Sequence, residues 1–253
     1  MPDLSQYQWF TLILAGFFAG FSKTSSTGLG ILITPLMVDA FPAKTTIGIL
    51  LPIYLLASIH ACIKYYPYTQ WKLYKALSLP TALGLALGVL TISHISELQL
   101  RIFICLMVLS ILFFNLCMYL WMEKIQRLSK NFIFQQVLGL SIGYSTMIAN
   151  MASSYMITYL LTQNLKKREF ASTQVVFFFI LNLIKIPINI QAEIITPNTA
   201  YLGLFAIIPM LIGGLLGFAF LDKIPGKSFR ILVQALTCIT CIKILLSSLQ
   251  IYM

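Results

Sequence analysis

Residues 131–165 form a run of 35 residues without one charged side chain, bounded by Lys130 and Lys166. As one straight helix this run would be about 52 Å long, against a hydrocarbon core of about 30 Å. It must bend or break, and lipid accepts irregular backbone only where protein or a water-filled cavity covers it. The middle of the run holds a polar cluster, Asn150, Ser153 and Ser154. A first apolar segment, near 8–38, carries a similar cluster of Ser22, Thr24, Ser25, Ser26, Thr27, Gly28 and Gly30. Both segments are expected to be broken or re-entrant at these points.

The rest of the chain belongs to the same class. Of its 253 residues 59% are apolar and 9% charged, where soluble proteins have roughly 45–50% and about 25%. Water-soluble enzymes and disordered tails are thereby excluded. Apolar segments lie near 8–38, 45–63, 76–93, 102–122, 132–162, 170–190, 199–221 and 228–250, which predicts an all-α polytopic membrane protein. A net charge of +10 would suit nucleic acid. The Lys and Arg residues, however, cluster in short loops between apolar runs, the distribution of cytoplasmic loops, so no nucleic acid is expected. All five cysteines lie in apolar segments, against a disulfide framework, and Cys238 and Cys241 read as core residues despite their CxxC spacing. No Lys or Arg precedes Lys23, so the first segment lacks the basic start of a cleaved signal peptide and is expected to stay in the mature protein.

An internal repeat is visible. Pro80, Gly84, Gly88 and Arg101 recur as Pro209, Gly213, Gly217 and Arg230 at an offset of 129, and Gly16 and Gly20 as Gly139 and Gly143 at an offset of 123. This predicts two four-segment repeats, residues 1–122 and 132–253, joined by a cytoplasmic linker at 123–131. The glycines themselves read as helix-packing positions. Basic clusters flank segment five on both sides: Lys124, Arg127 and Lys130 before it, Lys166, Lys167 and Arg168 after it. A simple crossing would put them on opposite faces of the membrane, against the positive-inside tendency. If segments one and five are re-entrant hairpins, entering from outside and inside respectively, every basic loop is cytoplasmic and both termini are outside. The two repeats are then inverted in topology, an architecture of secondary transporters.

In such carriers the substrate sits near the midplane, against half-helix ends that favour anions at their N-termini. Lys23 falls at the first break, too deep for a snorkelling side chain, among hydroxyls and glycines that bring donors close to a ligand. Lys185 lies in segment six, with Asn182 one turn before it and Pro187 two residues after, and is a candidate second lining of the cavity as well as a candidate helix-end lysine reaching outward. Lys64 and Lys243 read as snorkellers. The acids Asp3, Asp39, Glu97, Glu123, Glu169, Glu193 and Asp222 all lie in or beside loops. Cation transport, which wants a buried carboxylate, is disfavoured, and a small anion is favoured. His60 is the candidate proton relay, set against the commoner role of a packed histidine. There is no HExxH, GxSxG or P-loop motif and no Cys/His ligand cluster, so no catalytic residue, metal or cofactor is expected.

Several stretches carry a resemblance: "GFFAGFSKTSSTGLGILITPLM", "PAKTTIGILLPIYLL", "YYPYTQWKLYKALSLPTALGLALG" and "GYSTMIANMASSYMITYLLTQNLKKREFASTQVVFFFILNLIKIP". They resemble the TauE/SafE sulfite-exporter family, also called the toluene-sulfonate uptake permeases, over nearly the whole chain. The likeness implies secondary transport of sulfite, sulfonates or sulfoacetate across the cytoplasmic membrane, driven by an ion gradient of protons or sodium. It matches Lys23, Thr24, Gly28 and Gly30 to the family's first motif, and Thr146, Asn150, Asn182, Lys185 and Pro187 to its second. The chain departs from the pattern at Ser58, usually acidic or small, at Ser25 and Thr27, commonly Gly and Pro, and at Ser153 and Ser154, often Gly-Pro. These changes add hydroxyl donors and bear on the substrate more than on the fold. The rival readings are a transporter of another small anion, a non-transporting membrane assembly factor, for which Lys23 would have no use, and, third, a membrane-embedded enzyme.

Overall fold

Wherever the chain is apolar it is helical, because a backbone in lipid must satisfy its hydrogen bonds within its own segment. The computed structural model describes residues 4–25, 29–121, 123, 128, 131–163, 165–220 and 226–250, with backbone alone at 25, 60, 61, 64, 65, 167, 218–220 and 226–230. Among the described residues the helices are α1 (Gln6–Ser25), α2 (Gly30–Ala40), α3 (Ala43–Tyr65), α4 (Trp71–His94), α5 (Glu97–Leu120), α6 (Phe132–Ala149), α7 (Ser153–Leu161), α8 (Lys167–Gln191), α9 (Pro197–Phe205), α10 (Ile207–Phe220) and α11 (Gly226–Gln250), and there is no strand. Local signals set several ends. Ser96 and Gln99 form a capping box at the start of α5, Asn131 accepts from the Ile133 N–H to begin α6, and Thr196 caps α9 ahead of Pro197.

Segments one and five are each two helices, α1 with α2 and α6 with α7. The first break begins later than its polar cluster suggests, since α1 continues through Ser22, Lys23 and Thr24. Segment seven, expected as one span near 199–221, is also two helices. α9 and residues 207–217 of α10 meet at an angle of 44°. Pro209 explains the bend: it has no N–H for the Phe205 carbonyl and its ring crowds that carbonyl, and the Ala206 N–H turns to Gly203 three residues back. By length and hydropathy α4, α5, α6, Arg168–Gln191 of α8 and Ile231–Gln250 of α11 can each cross a membrane, and the bent pair counts as a sixth.

Helix pairing brings the two halves of the chain together. α1 packs along α10, α4 along α6, α3 along α8 and α5 along α11. Glycine lets the first two pairs approach to backbone contact. Gly20 lies against the backbone of Met210 and Gly214, and Gly143 against that of Thr81 and Leu85, so that a Cβ at either would run into a facing carbonyl. At one end of the molecule Asp39, in the last turn of α2, ties four helices. It accepts from the Tyr7 hydroxyl, from Lys243 at 2.7 Å and lies 4.0 Å from Arg101. Lys243 is therefore an ion-pair partner rather than a free snorkelling side chain.

Candidate functional site

The end of α6 is where the two broken segments meet. The last carbonyls of a helix have no partner within it, and α6 stops because Asn150 turns left-handed, with φ 55°, a conformation asparagine adopts more readily than most residues. Side chains from two other helices reach this end, one of them to the Thr146 carbonyl that also accepts the Asn150 N–H at 3.1 Å. Thr34 of α2 donates its hydroxyl to the Ala149 carbonyl at 2.6 Å. Lys185 of α8 donates to the Thr146 carbonyl at 2.6 Å and faces the Thr146 hydroxyl at 3.5 Å. Its ammonium makes a further, shorter hydrogen bond to Asn150 Oδ1. Lys185 is fully buried, and a cation at a helix C-terminus is favoured by the helix dipole.

Lys23 is held differently. Its Nζ stands 5.5 Å from the ring centroid of Tyr54 and 5.5 Å from that of Phe178, two aromatic faces that attract a cation without accepting a full hydrogen bond. Among the described residues the ion pairs are those of Asp39, so neither lysine meets a carboxylate. The Tyr54 hydroxyl, beside Thr34, and the Asn150 amide nitrogen are buried without hydrogen-bond partners. Asn182 is buried one turn before Lys185 on α8. This interior offers an ammonium, a hydroxyl and an amide N–H, all able to donate, and among the described residues no carboxylate pairs with them.

Other sequence candidates lie elsewhere or point elsewhere. The Thr24 hydroxyl bonds back to the Gly20 and Phe21 carbonyls at 3.3 and 3.2 Å and faces Gly217 of α10. Gly30 is the first residue of α2. Ser153 and Ser154 open α7, the former exposed and the latter half-buried. The N-cap residues of α2 and α7, Leu29 and Ala152, offer no side-chain cap, so among the described residues no such cap meets the first N–H groups of either half-helix. Ser26, Thr27, Gly28 and the side chains of Ser25, His60 and Lys64 lie outside the described residues. Thr34, Tyr54 and Phe178 were not singled out from the sequence. A hydroxyl in the apolar half-helix "ILITPLMV" was the signal for Thr34; the two aromatics carried none.

Among the described residues no group of three or more His, Cys, Asp or Glu side chains is placed to hold a metal, and the five cysteines are free. No curated protein and no solved structure matches the chain. The family described as Sulfite exporter TauE/SafE matches residues 12–244, nearly the whole length, and the chain belongs to that family.

Proposed function

We propose that this chain is a secondary carrier that binds a small sulfur-containing oxyanion, of the sulfite, sulfonate or sulfoacetate type, between its two broken segments and exposes it to each side of the cytoplasmic membrane in turn. Family membership implies membrane transport of sulfur anions. The observation that carries the finer reading is the surplus of buried donors around Lys23, with no carboxylate beside it. A buried donor left unpaired costs about 1–3 kcal/mol. A group with three oxygens on one sulfur can accept from Lys23, Tyr54 and Asn150 together. Thr146, Asn182 and Lys185 complete this lining. The hydroxyls of Thr24, Ser25, Ser26 and Thr27, with Gly28 and Gly30, lead into α2, and Ser153 and Ser154 lead into α7; the uncapped starts of these two half-helices suit an anion.

Alternating access follows from two inverted repeats, residues 1–122 and 132–253, with 123–131 as a cytoplasmic linker and segments one and five re-entrant. Element spacing supports this. Shifted by 123, α2 falls on 153–163 and α3 on 166–188, against Ser153–Leu161 and Lys167–Gln191; shifted by 129, α5 falls on 226–249, against Gly226–Gln250. Pairing supports it too: α1 packs on α10 while their counterparts α6 and α4 pack on each other. At the first shift Lys23 aligns with Thr146 and Cys62 with Lys185, so the two lysines hold different positions of the repeat, Lys23 on the first helix of its half and Lys185 on the third helix of the other. A proton or sodium gradient is the driving force, with His60 the proposed relay for a proton.

Reconstituted vesicles loaded with sulfite or an organosulfonate test the reading. Lys23→Ala is expected to weaken transport about 10- to 100-fold, the loss of one charge-assisted hydrogen bond. Undiminished flux in the variant would remove Lys23 from the site. No flux of any anion by the unaltered protein would favour a membrane factor that transports nothing.

A further inference from the structure

The contacts of Lys185 reach beyond its role as a lining residue. An ammonium group has three hydrogens and no lone pair, and the three acceptors here, the Thr146 carbonyl, the Thr146 hydroxyl and Asn150 Oδ1, all belong to the last turn of α6 and the residue that ends it. Without a bound anion, then, the cation of α8 is fully engaged by the carbonyl end of a broken helix. Two of its acceptors are ordinary parts of that helix. The third is a side chain, and it belongs to the left-handed residue on which the break turns. The Lys23 ammonium stands 5.5 Å from the Phe178 ring, two turns before Lys185 on the same helix, which puts an anion held by Lys23 against the helix that carries Lys185. An anionic acceptor adds a full charge–charge attraction to the ammonium that a neutral amide oxygen does not offer.

We propose that Asn150 is a positioning residue that stands in for the substrate at Lys185: its side-chain oxygen holds the ammonium while the site is empty and gives it up to the incoming anion. This rests on the anion-carrier reading above. Loading of the site then unties α8 from the end of α6, because one contact cannot serve both the helix and the anion. Release falls at the break of segment five, at the left-handed residue that ends α6. The nitrogen of the same amide, buried and without a partner, is left facing an acceptor that only a ligand supplies.

Asn150→Asp isolates this step, since it keeps the shape and the tolerance of a left-handed backbone while placing a permanent charge on Lys185. With purified protein in detergent, Asn150→Asp is expected to raise the thermal midpoint of the ligand-free protein, and to lose that increment when Lys185→Met is added. Sulfite binding is expected to weaken about tenfold or more in Asn150→Asp. Asn150→Asp is expected to cost clearly less binding in a Lys185→Met background than in the unaltered protein, because the carboxylate acts chiefly by occupying the lysine and only the loss of the Asn150 amide donor remains. A binding penalty as large or larger without the lysine would mean direct repulsion and overturn the proposal. So would a ligand-free protein that gains no stability from Asn150→Asp. If the unaltered protein neither binds nor moves sulfite or a sulfonate, the carrier reading itself fails, a result distinct from either of these.

Discussion

An ammonium group at the centre of a bilayer costs about 2.5–3.5 kcal/mol on insertion scales, unless something replaces the water it has lost. At Lys185 the replacement is the carbonyl end of α6; at Lys23 it is a pair of aromatic faces. The first is close to saturated by the protein, and the second is not. Tyr54 is thereby both wall and donor, and its two roles separate on substitution. Tyr54→Phe retains the ring beside Lys23 and deletes the unpartnered hydroxyl. It is expected to weaken sulfite binding about 2- to 10-fold, the worth of one neutral hydrogen bond, with the thermal midpoint unchanged or raised. Equilibrium binding beside thermal unfolding measures both, and binding equal to that of the unaltered protein would take the Tyr54 hydroxyl out of the site. The place of both lysines in apolar runs was legible, but for Lys185 the sequence left a cavity lining and an outward-reaching helix end equally open, and burial in the folded chain decided between them. The partners of the two lysines were not legible, because Thr146, Asn150, Tyr54 and Phe178 come from other helices, and nothing local marks an aromatic residue as the one that will face a cation.

Helix breaks and close approaches belong to the scale of the element, and here local chemistry spoke clearly in some places and ambiguously in others. The overlong run at 131–165 had to break, and it does so at Asn150. Pro80 and Pro209 occupy repeat-related positions, yet α4 continues through Pro80 while the chain bends at Ala206 ahead of Pro209. Proline removes one backbone hydrogen bond in either setting; whether the helix then bends depends on what packs around it. Glycine is similarly ambiguous in sequence and plain in structure. Gly20 meets the Met210 backbone, whereas among the described residues a methyl at Gly30 would have only the Ser22 hydroxyl oxygen near, at 3.9 Å. Gly20→Val is therefore expected to force α1 and α10 apart and lower the thermal midpoint by about 2–12 °C, the range for an overpacking cost of 1–3 kcal/mol in a chain of this size. Gly30→Ala is expected to leave the midpoint unchanged or slightly raised, because alanine favours a helix over glycine. Equal loss at both positions would show that close α1–α10 packing is not what Gly20 provides.

For the whole molecule, the question is which side of the membrane each loop occupies. The basic clusters on both sides of segment five require it to return to the face it left if all positive loops are cytoplasmic. A single cysteine at residue 166, in a chain whose five cysteines are replaced, is expected to label from the cytoplasmic side only, and one at residue 5 from outside only. Labelling of residue 166 from outside alone would sink the re-entrant hairpin. Class, apolar segments, the break of segment five and the family itself were readable from the sequence, because each depends on composition, run length or motif, and these are properties of neighbours along the chain. The bend of segment seven at Ala206 was not readable, and the first break begins later than its polar cluster. Tertiary structure alone decided that Lys185 closes the end of α6, that Lys23 lies between two aromatic rings and that Lys243 pairs with Asp39. A charge in lipid takes whichever partner the packing of distant helices brings within a few ångströms, and that choice is made only when those helices have met.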